Sequence, residues 1–324
     1  MKKFIITFVL AISVGSVLAQ ELRSSYFMET SMFRHQMNPA FIDSQYIAVP
    51  FLGNINIRTS GKNGTSTFLY PLENDPDYDK TTFMNPEVDS HTFLKKIKNR
   101  VNFDINLNYN VLSGVFRAFG GANLVELNIR SNTYATLPHS FFVFMKAPQT
   151  KQQYDFDKLG LRSETYAELV FGHSRKLNRE VTVGGKFKFL VGGSYAQYKV
   201  NHLTATQNGN QWVIEGDTEL EAAIFNSQFK YNDNQVRGLT RPTFGLPGFG
   251  AAVDLGIVYK ASSFIDGLTL SASVTDLGYI AWKDVNTAAS QGTWSFSGFR
   301  NLPVYESDSG VNIKDQARAM KSEV

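Results

Sequence analysis

The sequence predicts an all-β protein: an antiparallel transmembrane β-barrel, incomplete at the C-terminus, with a short N-terminal plug. Three observations predict it. Asn102 to Val111 alternates polar and apolar residues without a slip. Strand side chains point to opposite faces in turn, so one face is apolar and the other is Asn or Asp throughout. The same alternation recurs in segment after segment up to Phe299. No later segment approaches 18 consecutive apolar residues, so helical spans are not expected, and only a closed barrel can then satisfy a backbone in lipid.

The elements follow in chain order. Lys2 and Lys3 precede an apolar run from Phe4 to Val14, and Val17-Leu18-Ala19 is a small-residue cleavage site. Residues 1–19 therefore read as a bacterial-style signal peptide, too short in its apolar part to span a membrane. No Cys follows the cut, which excludes a lipoprotein anchor. Residues 20–45 lack alternation and form the expected plug. Its Ser24–Gln36 part predicts a short helix that stops before Pro39. Residues 46–300 carry the strands and loops of the barrel. Ser90 to Arg100 predicts a helix capped by Ser90, and Pro138 to Lys146 a second one. Gly192-Gly193 predicts a bend in a long strand. Gln207 to Asn210 reads as a hairpin turn. Asn226 to Gly250 reads as irregular, and Asp276-Leu277-Gly278 as a turn. Residues 301–324 form a polar tail without a terminal aromatic strand, which predicts a truncated product.

Composition narrows the function. Cys is 0, so disulfide scaffolds, thiolate metal sites and thiol nucleophiles are out. The mean hydropathy of −0.20 suits a soluble chain and a barrel alike, since half of each strand faces water. Net charge is +3, and loss of Lys2 and Lys3 leaves +1, so nucleic acid is not an expected partner.

The apolar face meets either lipid or a protein core. Tyr109, Tyr195, Tyr259, Tyr279, Trp282 and Trp294 fall near strand ends, where interfacial girdles lie. The opposite face carries Arg58, Asp104, Glu126, Arg130, Glu168, Lys186, Lys188 and Asp254, the expected lumen-facing residues. In a soluble sandwich these would face bulk water instead.

Asn102 to Pro148 resembles an uncharacterised family of exported outer-membrane barrels, a domain of unknown function. The alternating strand, Ser113 to Arg117, the strand to Arg130 and Leu137-Pro138 carry the likeness. Met37-Asn38-Pro39-Ala40-Phe41 resembles the hatch of long-chain fatty-acid transport barrels, and Asp276-Leu277-Gly278 with Trp282 a late strand-turn of that superfamily. The resemblance implies a plug at Asn38, Pro39 and Ala40, and a hydrophobic ligand that leaves sideways into the membrane.

Chemistry is otherwise sparse. His35, His91, His139, His173 and His202 show no metal or catalytic spacing. Asp75, Asp77 and Asp79 alternate in a loop, but Lys80 and Pro86 occupy the places an EF-hand needs for Gly and Glu, so a solvated acidic loop is expected. The glycines between 245 and 250 precede a strand and do not form a phosphate loop. Lys186, Lys188 and Lys199 suggest a basic stripe, or else lysines paired with Glu168 or Glu126. Phe141 to Met145 suggests a greasy pocket wall, or else helix packing. No enzyme activity, cofactor or metal is expected. The expected role is porin-like passive transport of a hydrophobic or amphiphilic solute across a Gram-negative outer membrane, with lipid as partner. The alternative is an outer-membrane scaffold that docks protein partners through its long loops, and a soluble exported β protein is the third reading.

Overall fold

A computed structural model describes residues 26–28, 31–49, 55–60, 67–71, 80–147, 152–208, 211–232, 235–243, 245–262 and 265–296, with backbone alone for 55–60, 235 and 296. The signal peptide, the 301–324 tail, the Asp75–Asp79 loop and the Arg58 side chain lie outside these.

The chain is all-β. Its strands are β1 (Tyr46–Ala48), β2 (Ile55–Ser60), β3 (Leu69–Pro71), β4 (Lys80–Thr82), β5 (Arg100–Ala118), β6 (Gly121–Pro138), β7 (Gln153–Asp155), β8 (Gly160–Lys176), β9 (Val181–Asn208), β10 (Gln211–Ile224), β11 (Phe229–Asn232), β12 (Gln235–Leu239), β13 (Gly248–Lys260), β14 (Thr269–Trp282) and β15 (Asn286–Phe296). Helix α1 (Ser90–Lys96) precedes β5, and α2 (His139–Lys146) follows β6. Asp89 rather than Ser90 caps α1, accepting from the Thr92 N–H at 2.7 Å.

Eleven strands make one antiparallel meander. Several ranks are broken strands laid end to end. β1 and β2 both pair with β5. β9 pairs with β13 from Val181 to Gly192 and with β10 from Ser194 onward. The expected Gly192-Gly193 bend is thus where a continuous strand changes partner. β14 pairs with β13 and β15 with β10, so the outer ranks are split at the same level. The hairpin β11–β12 emerges from that split, within the stretch expected to be irregular.

The sheet rolls. Arg130 on β6 and Asp276 on β14 are separated by β8, β9 and β13, about 19 Å on a flat sheet at ~4.8 Å per strand. Their side chains nevertheless lie 3.5 Å apart. The expected closed barrel is not formed by the described residues, because no pairing joins β14 or β15 to β1 or β2. At β14 the sheet meets the N-terminal segment instead: Ser273 donates to the Met37 carbonyl at 2.6 Å, and Asn38 Nδ2 to the Ala272 carbonyl at 3.4 Å.

The two ends of the meander differ. One end has short connections. Phe119 and Gly120 join β5 to β6 in two residues with φ of 54° and 72°, the left-handed geometry of a tight hairpin. The other end carries α1, α2 and β7. There Val88, Phe93, Ile97, Val101 and Phe142 form an aromatic-rich core, and Val143, Tyr154, Phe156 and Ala205 a second. The Phe141–Met145 run therefore packs as a helix against this cap. No helix of the described residues is long and apolar enough to cross a membrane.

Candidate functional site

The concave face is polar and the convex face is apolar. Register fixes both. Leu112, Leu127, Leu169, Phe189, Ala251 and Tyr279 form one cross-strand row from β5 to β14. Val125, Phe171, Phe187, Val253 and Leu277 form the next. Most of these large side chains are exposed, Phe189 at 50% and Tyr279 at 74%. The inward positions between them hold Glu126, Glu168, Lys186, Lys188 and Asp254, every one at most 5% exposed. Ordinary soluble packing has the opposite polarity.

These buried charges form one network. Lys188 Nζ lies 2.8 Å from Asp254 and 2.5 Å from Asp276. Lys186 Nζ is 3.9 Å from Asp254. Arg130 Nε lies 2.9 Å from Glu168, whose same oxygen accepts from Asn128 Nδ2 at 2.9 Å. Asn110 Nδ2 donates to Asn128 at 2.7 Å. Pairing is what makes buried charge tolerable, since an isolated ion loses far more hydration energy than a pair. The lysines' contacts within 4 Å are thus with Asp254 and Asp276, while Glu126 and Glu168, the partners the sequence suggested, act on them from further off. The basic stripe does not form, because Lys199 lies apart and bonds Glu221 at 2.8 Å.

Asp276 joins the network through a bulge. The register slips between Val253 and Leu255, and Asp276 has a φ of 58°. Its N–H donates to Asp254 Oδ1 at 2.7 Å. An extra residue reverses which face the next side chains take. Asp276-Leu277-Gly278 is thus a bulge inside β14 rather than a turn. Trp282 consequently points inward and stacks on the buried Tyr195 with ring centroids 5.4 Å apart, so neither belongs to an outer girdle.

Residues 34–42 lie across the concave face. Arg34–Gln36 and Pro39–Phe41 are single 3-10 turns; of the helix expected over 24–36, Tyr26 and Phe27 are helical, 34–36 is a 3-10 turn, and 24–25 and 29–30 lie outside the described residues. Asn38 caps the second turn, accepting from the Ala40 N–H at 2.9 Å, and its Nδ2 donates to the Ile257 carbonyl at 3.3 Å. Asn38, Pro39 and Ala40 are all buried. Their seat is a row of small residues: Ala122, Ser174, Gly184 and Gly256 align across β6, β8, β9 and β13. A Cβ on Gly184 would lie 2.5 Å from the Ala40 nitrogen, and one on Gly256 2.8 Å from Pro39 Cδ. Glycine is thus required for the segment's backbone to approach the sheet. Ser174 donates to the Ala40 carbonyl at 3.1 Å. Ile42 anchors the segment in a cluster with Val115, Ala122 and Leu124.

His35 ties this segment to the charges. Its Nε2 lies 2.8 Å from the Tyr46 hydroxyl, which bonds Ser113, which donates to Glu126 at 3.1 Å. Burial, with Lys186 and Lys188 nearby, holds the imidazole pKa well below its ordinary value. His35 is neutral at pH 7.

Two cavities lie along the concave side. One, of about 390 Å³, is bounded by Asn106, Arg130, Asn132, Arg162, Glu164, Asp276 and Trp282. The other, of about 510 Å³, opens at the short-turn end beneath Ala40, Phe41 and Ile42. Of the residues singled out in the sequence, Glu126, Arg130, Glu168, Lys186, Lys188 and Asp254 come together. Asp104 is half-buried on the same strand face, away from the network, and Arg58 sits on β2 opposite Asn106. The sequence reading missed His35, Asp276 and the small-residue row. In-strand glycines were the available signal for that row. Among the described residues no group of three or more His, Asp or Glu is arranged to hold a metal ion.

The chain belongs to a family of unknown function, DUF5723. The family model matches residues 39–323, so it takes in Pro39 and Ala40 together with the whole described sheet. No curated protein and no solved structure matches the chain. The likeness to long-chain fatty-acid transport barrels therefore has no support from these comparisons, and DUF5723 membership alone assigns no activity.

Proposed function

We propose that this DUF5723 chain is an outer-membrane β-barrel that lets a hydrophobic or amphiphilic solute pass by diffusion, with residues 34–42 as its plug. One observation carries the reading: the molecule is inside-out, with exposed Leu, Phe and Tyr rows on the convex face and paired charges on the concave one. Water penalises the first arrangement and hydrocarbon tolerates it. The belt has the right height. On β14 the exposed apolar residues run from Leu270 to Tyr279. Nine steps of ~3.3 Å, tilted by ~40°, rise about 23 Å, close to the ~25 Å band of an outer-membrane barrel. No covalent step is needed.

Two experiments test the reading. Membrane fractionation should leave the protein in the pellet through a carbonate wash; a compact monomer in detergent-free buffer defeats the proposal. A strain lacking the gene should take up labelled fatty acids more slowly, and unchanged uptake removes that solute class. A scaffold role draws support from the cap, because β9 runs 28 residues and needs only ~10 to cross a bilayer. Stable stoichiometric partners in a membrane pull-down would favour it.

A further inference from the structure

We propose that the cavity at the short-turn end is a binding site for a phosphate-bearing solute. The two cavities differ in charge. The one beside Trp282 is balanced, with Arg130 and Arg162 against Glu164 and Asp276. The short-turn cavity is lined by Arg34, Arg117, Lys176 and Lys260 against Asp43 alone, a surplus of three positive charges.

These cations come from separate elements that converge. Lys176 and Lys260 are the last residues of β8 and β13, Arg117 is near the end of β5, and Arg34 belongs to the plug. No ion pair among the described residues engages any of the four. Both guanidinium groups are held in place without using a carboxylate side chain. Arg34 lies over the Phe41 ring at 4.0 Å and donates Nε to the Tyr26 carbonyl at 3.0 Å. Arg117 donates Nη2 to the Asp43 carbonyl at 3.1 Å. Their remaining N–H groups keep the fork geometry that suits tetrahedral oxyanions. Ser174, Thr182 and Thr269 add hydroxyl groups to the lining.

The size of the surplus decides the ligand class. One carboxylate would leave two unpaired cations around the cavity, whereas a phosphate monoester carries about −1.5 to −2 at pH 7 and offers three acceptor oxygens. Phe41, Ile42 and Val258 supply an apolar wall, so a phosphate on a short organic body fits better than inorganic phosphate. The same chemistry serves a free phosphate ester or a lipid headgroup. The site stands on charge and geometry, so it survives even if no transport is found.

Isothermal titration of glycerol 3-phosphate into the purified full chain in neutral detergent tests it. Saturable binding is expected, weakening with added salt, and propionate should bind at least tenfold more weakly. Lys176→Gln with Lys260→Gln should weaken binding by about 10- to 100-fold, from two lost charge-assisted contacts. Lys176→Arg with Lys260→Arg should retain it. Lys199→Gln, outside the cavity, should leave it unchanged. Competition by phosphatidic acid micelles identifies a headgroup as the source, and its absence a free ester; both outcomes support phosphate recognition. No saturable heat, propionate binding as tightly as the phosphate, or a double Gln variant with unchanged affinity overturns the proposal.

Discussion

Replacing Gly184 by Ala should lift residues 38–42 off the sheet. The added Cβ would lie 2.5 Å from the Ala40 nitrogen, where ordinary contact begins at 3.4 Å. The Pro39 carbonyl would lie nearer still, so the segment must move by more than about 0.9 Å, and a backbone neighbour cannot rotate away. Asn38 Nδ2 donates to the Ile257 and Ala272 carbonyls at 3.3 and 3.4 Å, and Ser174 to the Ala40 carbonyl at 3.1 Å. A shift of that size takes all three beyond hydrogen-bond range. At about 0.5–1.5 kcal/mol each, with part of the Ile42 burial lost as well, docking weakens by roughly 2–5 kcal/mol. Hydrogen–deuterium exchange reads this directly. Amides of residues 38 and 40–42 should exchange about 30- to 5000-fold faster in the variant. Gly185→Ala is the matched control: it is one residue along and faces the other way, and its Cβ would meet only ordinary contacts at 3.6 and 3.7 Å. Equal exchange in the two variants would refute the seating argument.

Three other outcomes follow from the same geometry. Phe189→Lys, in the middle of the convex row, should cost about 2–4 kcal/mol in urea unfolding from liposomes if that face meets hydrocarbon; a change within ~0.5 kcal/mol would mean it meets water. Asp254→Ala should destabilise by about 3–5 kcal/mol, because it takes the near carboxylate from the buried Lys186 and leaves Lys188 with Asp276 alone, and Asp254→Asn should cost less because it keeps an acceptor for the Asp276 N–H; chemical denaturation checks both. Docking of residues 34–42 on the sheet should weaken as pH falls. The docked His35 has its pKa lowered, so the released state binds the proton more readily, and stability is lost below the ordinary value near 6.5. The slope is about 1.4 kcal/mol per pH unit until the docked value is reached. Lys186 and Lys188 oppose the imidazolium, while Glu126 at 3.6 Å and the Tyr46 hydroxyl face the same ring. Proteolysis of residues 34–42 at pH 5 and 7.5 should show faster cutting at pH 5, and His35→Gln should remove the difference.

Strand alternation was legible because it is local. Asn102 to Val111 needs only a period of two to place its Asn and Asp residues on one face, and β5 carries that pattern. Glu126, Glu168, Lys186, Lys188 and Asp254 were readable for the same reason. Their partners were not, because pairing depends on register between strands distant in sequence. Asp254 sits opposite Lys186 in the ladder, and no run of residues in either strand announces it.

The hardest feature to read was Asp276, and the cause is physical. Asp-Leu-Gly has turn chemistry, and an Asp at positive φ is ordinary in a turn. Here the left-handed residue stays in a strand because Asp254, 22 residues earlier, accepts its N–H. The resulting bulge swings one carboxylate to the concave side, where Arg130 and Lys188 meet it, and carries Trp282 inward onto Tyr195. A local signal for a turn was therefore overruled by a distant acceptor. The small-residue row is the converse case. Gly184 and Gly256 in that row, and Gly172 two residues before Ser174, interrupt strands that favour larger side chains, and each lies where the backbone of residues 38–40 or Ile42 presses against the sheet. Their spacing along β8, β9 and β13 marks a track for a close-packed segment, so in other DUF5723 chains the same glycines should accompany the Asn-Pro-Ala turn, and a chain without that turn has no steric need to keep them.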